Sequence, residues 1–197
     1  MAIRIDIEQT ERELFCCTKW WGDPDMQADM QYPMMEVPGG EYPLTFICQI
    51  DCEEASALDP SGLLPKEGML YFFAAIDSLI GYDSPVTPRK GEWPKGTVMV
   101  KYAKSVNFET FNSCILTGEN GESIAERAML ATLSQCDDGF GGIRMLGDPL
   151  EEGTVNLLQI AFDPENTLSI WISESDLRYG NWKRARATLR QSSARQQ

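Results

Sequence analysis

PLTFICQID at residues 43–51 and GMLYFFAAID at residues 68–77 decide the fold. Each is a compact run of β-forming apolar residues that stops at an Asp, and runs bounded in this way by Pro, Gly and Asp read as strands. Further along, VNLLQIAFD (155–163) and TLSIWISESD (167–176) repeat the pair. Aligned on glutamine, FICQI (46–50) faces NLLQI (156–160), and LYFFAAID faces LSIWISESD. A Gly-Asp-Pro triplet precedes each copy, at residues 22–24 and 147–149. Each copy is thus a turn, an apolar strand carrying one Gln, a second turn, and an apolar strand ending in Asp. The same order met twice reads as duplication of one β unit.

Outward from these runs, Ile3, Ile5 and Ile7 alternate with Arg4, Asp6 and Glu8, a half-buried strand pattern. Residues 22–43 and 81–96 are rich in Pro and Gly and read as long loops. Glu53 to Leu58 supplies a helical turn, Val98 to Tyr102 a strand, and Phe108 to Leu116 a strand expected to pair with it. Ser123 and Glu126 have capping-box spacing, which predicts an internal helix from Ser123 to about Gln135. Residues 139–147 are glycine-rich, and a C-terminal helix is expected over 181–191. The expected fold is α+β and mainly antiparallel β, roll- or barrel-like. It forms a single domain over 1–197, with repeat halves at about 1–117 and 118–197.

The 197 residues include 30 acidic and 17 basic side chains, six Cys and no histidine, for a net charge of −13. The missing histidine excludes Ser-His-Asp and Cys-His nucleophiles, HExxH zinc sites and imidazole proton shuttles. Chemistry by carboxylates, Cys, Lys, Tyr or an acid-bound metal remains, and no motif marks any of them. Residues 1–177 hold all 30 acids and 11 of the bases, leaving −19, while residues 178–197 carry six bases and no acid. So acidic a body repels phosphate, which argues against nucleic acid over the main surface. The N-terminal stretch lacks an apolar signal-peptide core, and the longest apolar run (69–76) is far short of the ~20 residues that cross a bilayer. A soluble, cytoplasmic protein with reduced cysteines and no membrane association is expected.

The order WWGDP (20–24), YP (32–33), PLTFICQID, LLPKEGMLYFF (63–73), LGDP (146–149), LLQIAFD (157–163) and ISESDLRYGNW (172–182) resembles the bacterial YwqG-like family. The resemblance runs from about residue 19 to 182 and is most specific over 43–73. It implies a mainly antiparallel β architecture with a duplicated core. It supplies no catalytic residues. Leu150-Glu151-Glu152 follows the second turn where many members carry Gln, and histidines that some members have there are missing.

Trp20, Trp21 and Asp23 set aromatic faces beside a carboxylate, a combination that suits a sugar or a cation. Trp93 offers a further aromatic wall in the second long loop. Gln49 and Gln159 lie inside apolar strands, where an unpaired amide costs roughly 1–3 kcal/mol. Each either bonds a neighbouring loop, such as its own Gly-Asp-Pro turn, or points into a cleft and grips a ligand. Cys16-Cys17 and Cys48-x-x-x-Cys52 lack zinc spacing, so buried thiols are expected and neither metal nor cofactor. Residues 137–142 carry neither the EF-hand nor the phosphate-loop pattern and read as a flexible turn. Trp182, Ala185 and Leu189 form a stripe that would dock the basic tail on the acidic body, the alternative being an anionic partner such as RNA or a membrane surface. The functional expectation is a non-enzymatic module for a small molecule or a protein, with no catalytic residue assigned. Two alternatives stand beside it: an immunity- or antitoxin-like protein that meets a basic protein partner, and a carboxylate-dependent enzyme acting on a sugar-like substrate.

Overall fold

Alternation sets the first strand: in β1 (Ala2–Glu8), Ile3 and Ile5 are buried while Arg4 and Asp6 are half-exposed. The chain continues through β2 (Lys19–Trp20), β3 (Asp25–Gln27), β4 (Met34–Val37), β5 (Gly40–Pro43) and β6 (Thr45–Asp51). Helix α1 (Cys52–Ala57) comes next, started by Asp51, whose side chain accepts the Glu53 amide at 2.8 Å. Then come β7 (Met69–Ala74), a 3₁₀ turn at Asp77–Leu79, β8 (Gly91–Glu92), β9 (Val98–Ala103) and β10 (Phe111–Ser113). The second half holds β11 (Met129–Cys136), β12 (Arg144–Met145), β13 (Thr154–Asp163), β14 (Asn166–Ser173), α2 (Glu174–Arg178), a 3₁₀ turn at Trp182–Arg184, and β15 (Arg186–Arg190). The computed structural model describes residues 1–191 other than Pro88, Thr110, Glu119, Ser123 and 138–140.

Eleven strands form one antiparallel sheet, curled into a half-barrel, in the order β8-β15-β14-β13-β12-β1-β11-β2-β6-β7-β9. Ribbons β3–β10 and β4–β5 lie apart from it. The order is nearly a palindrome about the β1–β11 pair. On one side stand β12, β13 and β14, and on the other β2, β6 and β7. Details repeat too. The β6–β7 register slips between Phe46 and Cys48, and the β13–β14 register slips between Asn156 and Leu158. These are the same positions once Gln49 is set on Gln159. Gln49 stands opposite Lys19, and Gln159 opposite Arg144. The residue before each Gly-Asp-Pro is left-handed: Trp21 at φ 57° and Leu146 at φ 53°. The repeat legible in the sequence is therefore a repeat in backbone geometry.

All six residues of β7 are buried, because both of its faces are covered. Leu70, Phe72 and Ala74 enter the main core between the two halves of the sheet. Met69, Tyr71 and Phe73 enter a second core with Met26, Met35, Leu44 and Phe46. The segment between β2 and β6, expected as a loop, carries β3, β4 and β5 and covers this second core, whose edge at Leu44 and Phe46 borders a cleft.

Three expectations are corrected. The segment expected as an internal helix forms β11, which pairs with β1 from Ala2↔Cys136 to Glu8↔Leu130. Helix propensities differ by at most ~0.7 kcal/mol per ordinary residue, and the seven-pair ladder to β1 with the packing of Ala131 and Leu133 overrides them. Ser123, its expected cap, lies outside the described residues, as do positions 138–140 of the expected flexible turn. The expected C-terminal helix is a 3₁₀ turn and strand β15. There Ala187 and Leu189 are buried while Arg186 and Arg190 are exposed, a period of two. Trp182, Ala185 and Leu189 do dock on the core, from a turn and a strand rather than one helix face. The strand expected to pair with β9 is β10, which pairs with β3 instead.

Candidate ligand-binding cleft

The first Gly-Asp-Pro corner is built around a buried ion pair. Lys19 Nζ lies 2.7 Å from Asp25 Oδ2, with both side chains almost wholly out of water. Such a pair is tolerated only when its remaining valences are filled. Lys19 also donates to Leu14 O at 3.1 Å, and Asp25 Oδ2 accepts the Cys16 amide at 3.0 Å. The Gln49 amide closes the set: Nε2 donates to Asp25 Oδ2 at 2.8 Å and Cys17 O at 2.9 Å, while Oε1 accepts the Asp25 N–H at 2.9 Å. Tyr71 donates to Asp25 O at 2.6 Å. The second corner is sparser. Arg144 Nη2 reaches Gln159 Oε1 at 3.3 Å and Asp148 Oδ2 at 3.6 Å. The two glutamines hold their own corners rather than sharing a cleft.

The corner turns Trp21, Gly22 and Asp23 outward, and they form one wall of a cleft of about 540 Å³. Trp21 is fixed by its amide on Ile47 O and by its ring against Trp20, 5.4 Å away and nearly edge-on. Gly22 N–H donates to Glu126 O at 2.9 Å, which draws residues 124–126 onto the cleft as a second wall. The floor is Leu44, Thr45 and Phe46, the end of the second core. Tyr32, Tyr42 and Tyr82 complete the aromatic lining, and Asp77 and Asp83 bring further carboxyls. Tyr82 donates to Glu126 Oε1 across the rim, and Thr45 Oγ1 donates to Asp77 Oδ1.

Burial pushes the Asp23 carboxyl above its ordinary value, opposed by the Leu116 amide and by Lys19 and reinforced by Asp25. Burial likewise raises the Tyr42 phenol, and the Asp77 carboxylate beside it adds to the shift. Burial holds the thiols of Cys16 at about 11 and Cys52 at about 12, so neither is a thiolate nucleophile at neutral pH.

Of the residues the sequence singled out, Trp21 and Asp23 meet in this cleft. Trp20 packs in the main core, and Gln49 and Gln159 are committed to their corners. Trp93 is buried at a separate cavity of about 350 Å³ with Val86, Lys90 and Thr97. Residue patterns did not single out Tyr32, Tyr42, Asp77 or Tyr82, and marked Glu126 only as part of a helix cap. The available signal was the Asp that ends each second strand, together with the tyrosines of the two long loops.

The fold and the corner define a class: a duplicated, mainly antiparallel β protein whose one half opens an acidic, aromatic cleft. A family model described as a domain of unknown function, DUF1963, matches residues 18–146, and the chain belongs to that family. The match runs from the first corner to the second and contains every residue of the cleft. No curated protein matches the chain. Among the described residues no helix is long and apolar enough to cross a membrane.

Proposed function

We propose that this chain is a cytoplasmic, non-enzymatic binding module of the YwqG-like kind that holds a small molecule at its first Gly-Asp-Pro corner. The observation that carries the reading is the 540 Å³ cleft, a volume within the ~300–1,000 Å³ usual for small-molecule sites. Its wall is held from behind by the Lys19–Asp25–Gln49 cluster, which fixes it before any ligand arrives. Preorganisation of this kind lowers the ordering penalty of binding. Binding without turnover is favoured because the cleft carboxylates Asp77 and Glu126 already accept hydroxyl groups of the protein. The test is thermal-shift screening of a charge-diverse small-molecule set against the parent chain and Trp21→Ala. Stabilisation of the parent that Trp21→Ala loses is the expected result. A set that stabilises neither protein, or both equally, overturns the reading.

A second reading, a carboxylate-dependent enzyme on a sugar-like substrate, is favoured by Trp21 standing in one cleft with Asp23 and Asp77. It requires hydrolysis of chromogenic glycosides that Asp23→Asn abolishes. No turnover across a broad glycoside panel removes it.

A further inference from the structure

We infer that this cleft takes an organic polycation of the diamine or polyamine class, an inference that rests on the cleft being a ligand site. Among the described residues four carboxylates line it, from Asp23, Asp77, Asp83 and Glu126, and no Lys or Arg. A cavity so charged excludes anions and favours cations by plain Coulomb attraction, strengthened where walls of low dielectric surround it.

The carboxylates are not gathered at one point: among the described residues no three acids stand close enough together to hold one metal ion. Asp77 accepts Thr45 at the floor, and Glu126 accepts Tyr82 across the rim. A single ammonium would answer one of these charges. Two or more ammonium groups joined by methylenes answer several and lay their carbon chain on the apolar surface left open by Ile80, Leu116 and Ile124.

The chemistry of the lining supports the class. An ionised carboxylate offers about four acceptor sites, so Asp77 and Glu126 keep capacity for N–H donors after accepting Thr45 and Tyr82. Trp21 and three tyrosines line the cleft, and ammonium groups are attracted to aromatic faces within ~6 Å. A neutral sugar needs donors as well as acceptors from its site. Here the hydroxyls of Thr45 and Tyr82 are committed to protein carboxylates and that of Tyr32 to Leu44 O.

The experiment is calorimetric titration of the full chain at about 0.15 M salt, where the screening length is ~8 Å and loose surface attraction is weak. The probes are 1,4-diaminobutane, spermidine, methyl glucoside and a Lys-rich peptide. The variants are Asp77→Asn, the rim pair Asp83→Asn with Glu126→Gln, and Trp21→Ala. Spermidine is expected to bind one to one and more tightly than 1,4-diaminobutane. Asp77→Asn is expected to weaken it about tenfold or more, as loss of a charged hydrogen bond does. Because Asp77 also holds Thr45, the rim pair gives the same test on exposed positions, with circular dichroism confirming that each variant is folded.

Amine binding unchanged in every variant places the attraction elsewhere on the acidic surface and overturns the inference. Methyl glucoside binding without amine binding overturns it while leaving the binding module standing. The Lys-rich peptide displacing spermidine at equal charge assigns the cleft to a basic protein and also overturns it. No binding by any probe overturns the polycation, and the charge-diverse screen then decides the module itself.

Discussion

Gln49 and Asp25 hold each other at both ends: the Gln49 side chain accepts the Asp25 amide at 2.9 Å and donates to its carboxylate at 2.8 Å. Gln159, at the matching place in the second half, accepts one bond from Arg144 at 3.3 Å. The same residue type in the same register thus carries very different loads. Gln49→Leu strands a buried amide and the Cys17 carbonyl and takes a donor from a buried carboxylate, so it should cost about 3 kcal/mol or more. Gln159→Leu removes one long bond from the buried Arg144 and should cost about 1.5 kcal/mol. Urea unfolding of the two variants checks the difference, and equal losses would refute the asymmetry.

That asymmetry also marks what the sequence could tell. The duplication and the strands at 45–51, 69–74, 154–163 and 166–173 were legible, because each rests on local pattern, whereas the sequence left both glutamines open between corner and cleft. The cleft was legible only through Trp21 and Asp23. Its other walls come from β5, the turn after β7 and the segment before β11, which meet only after the sheet has curled. Strand β11 reads as a helix because Met129, Leu130, Ala131, Leu133 and Gln135 all favour one when alone. Its true partner, β1, lies more than a hundred residues earlier in the chain.

The backbone of the corner makes its own prediction. Gly22 has φ +77°, and a Cβ there would stand 2.7 Å from the Ala128 Cβ. Gly39 has φ +102° with open space around it. Gly39→Ala should therefore cost about 1 kcal/mol, the strain alone, and Gly22→Ala about 2–4 kcal/mol, since residue 128 must also move. Movement at that point shifts Glu126 and opens the cleft, so ligand affinity should fall in Gly22→Ala and hold in Gly39→Ala. Thermal denaturation with and without ligand reads both.

Asp23 gives a pH signature. Burial raises its carboxyl pKa in the folded state, so the folded protein binds its proton more tightly than the unfolded chain does. Stability from this group is highest at acid pH and declines as pH rises from the ordinary carboxylate range through the raised folded value. Asp23→Asn should accordingly be more stable than the parent at pH 7, and the difference should vanish on acidification. Asn can still accept from the Leu116 amide, so the contrast isolates the charge. Urea midpoints at pH 7 and pH 4 for both proteins provide the measurement, and a variant less stable at pH 7 would contradict it.

The basic tail offers a test that separates strand from helix. On a helix whose buried stripe is Trp182, Ala185 and Leu189, position 187 would face away from the body. In β15, Ala187 is fully buried, its carbonyl accepts the Trp93 amide at 2.8 Å, and its neighbours Arg186 and Arg190 are exposed. Ala187→Asp should therefore destabilise by about 3 kcal/mol or more, because it buries an unpaired carboxylate against the main core. Arg186→Ala removes an exposed contact to Glu92 at 3.0 Å and a stacking contact on Trp171 at 5.5 Å, which together should amount to about 1 kcal/mol or less. High salt should weaken the Arg186 contribution and leave the Ala187 penalty unchanged, since only the first is screened by solvent. If Ala187→Asp were tolerated while Arg186→Ala was not, the tail would be held by its charges and not by its strand.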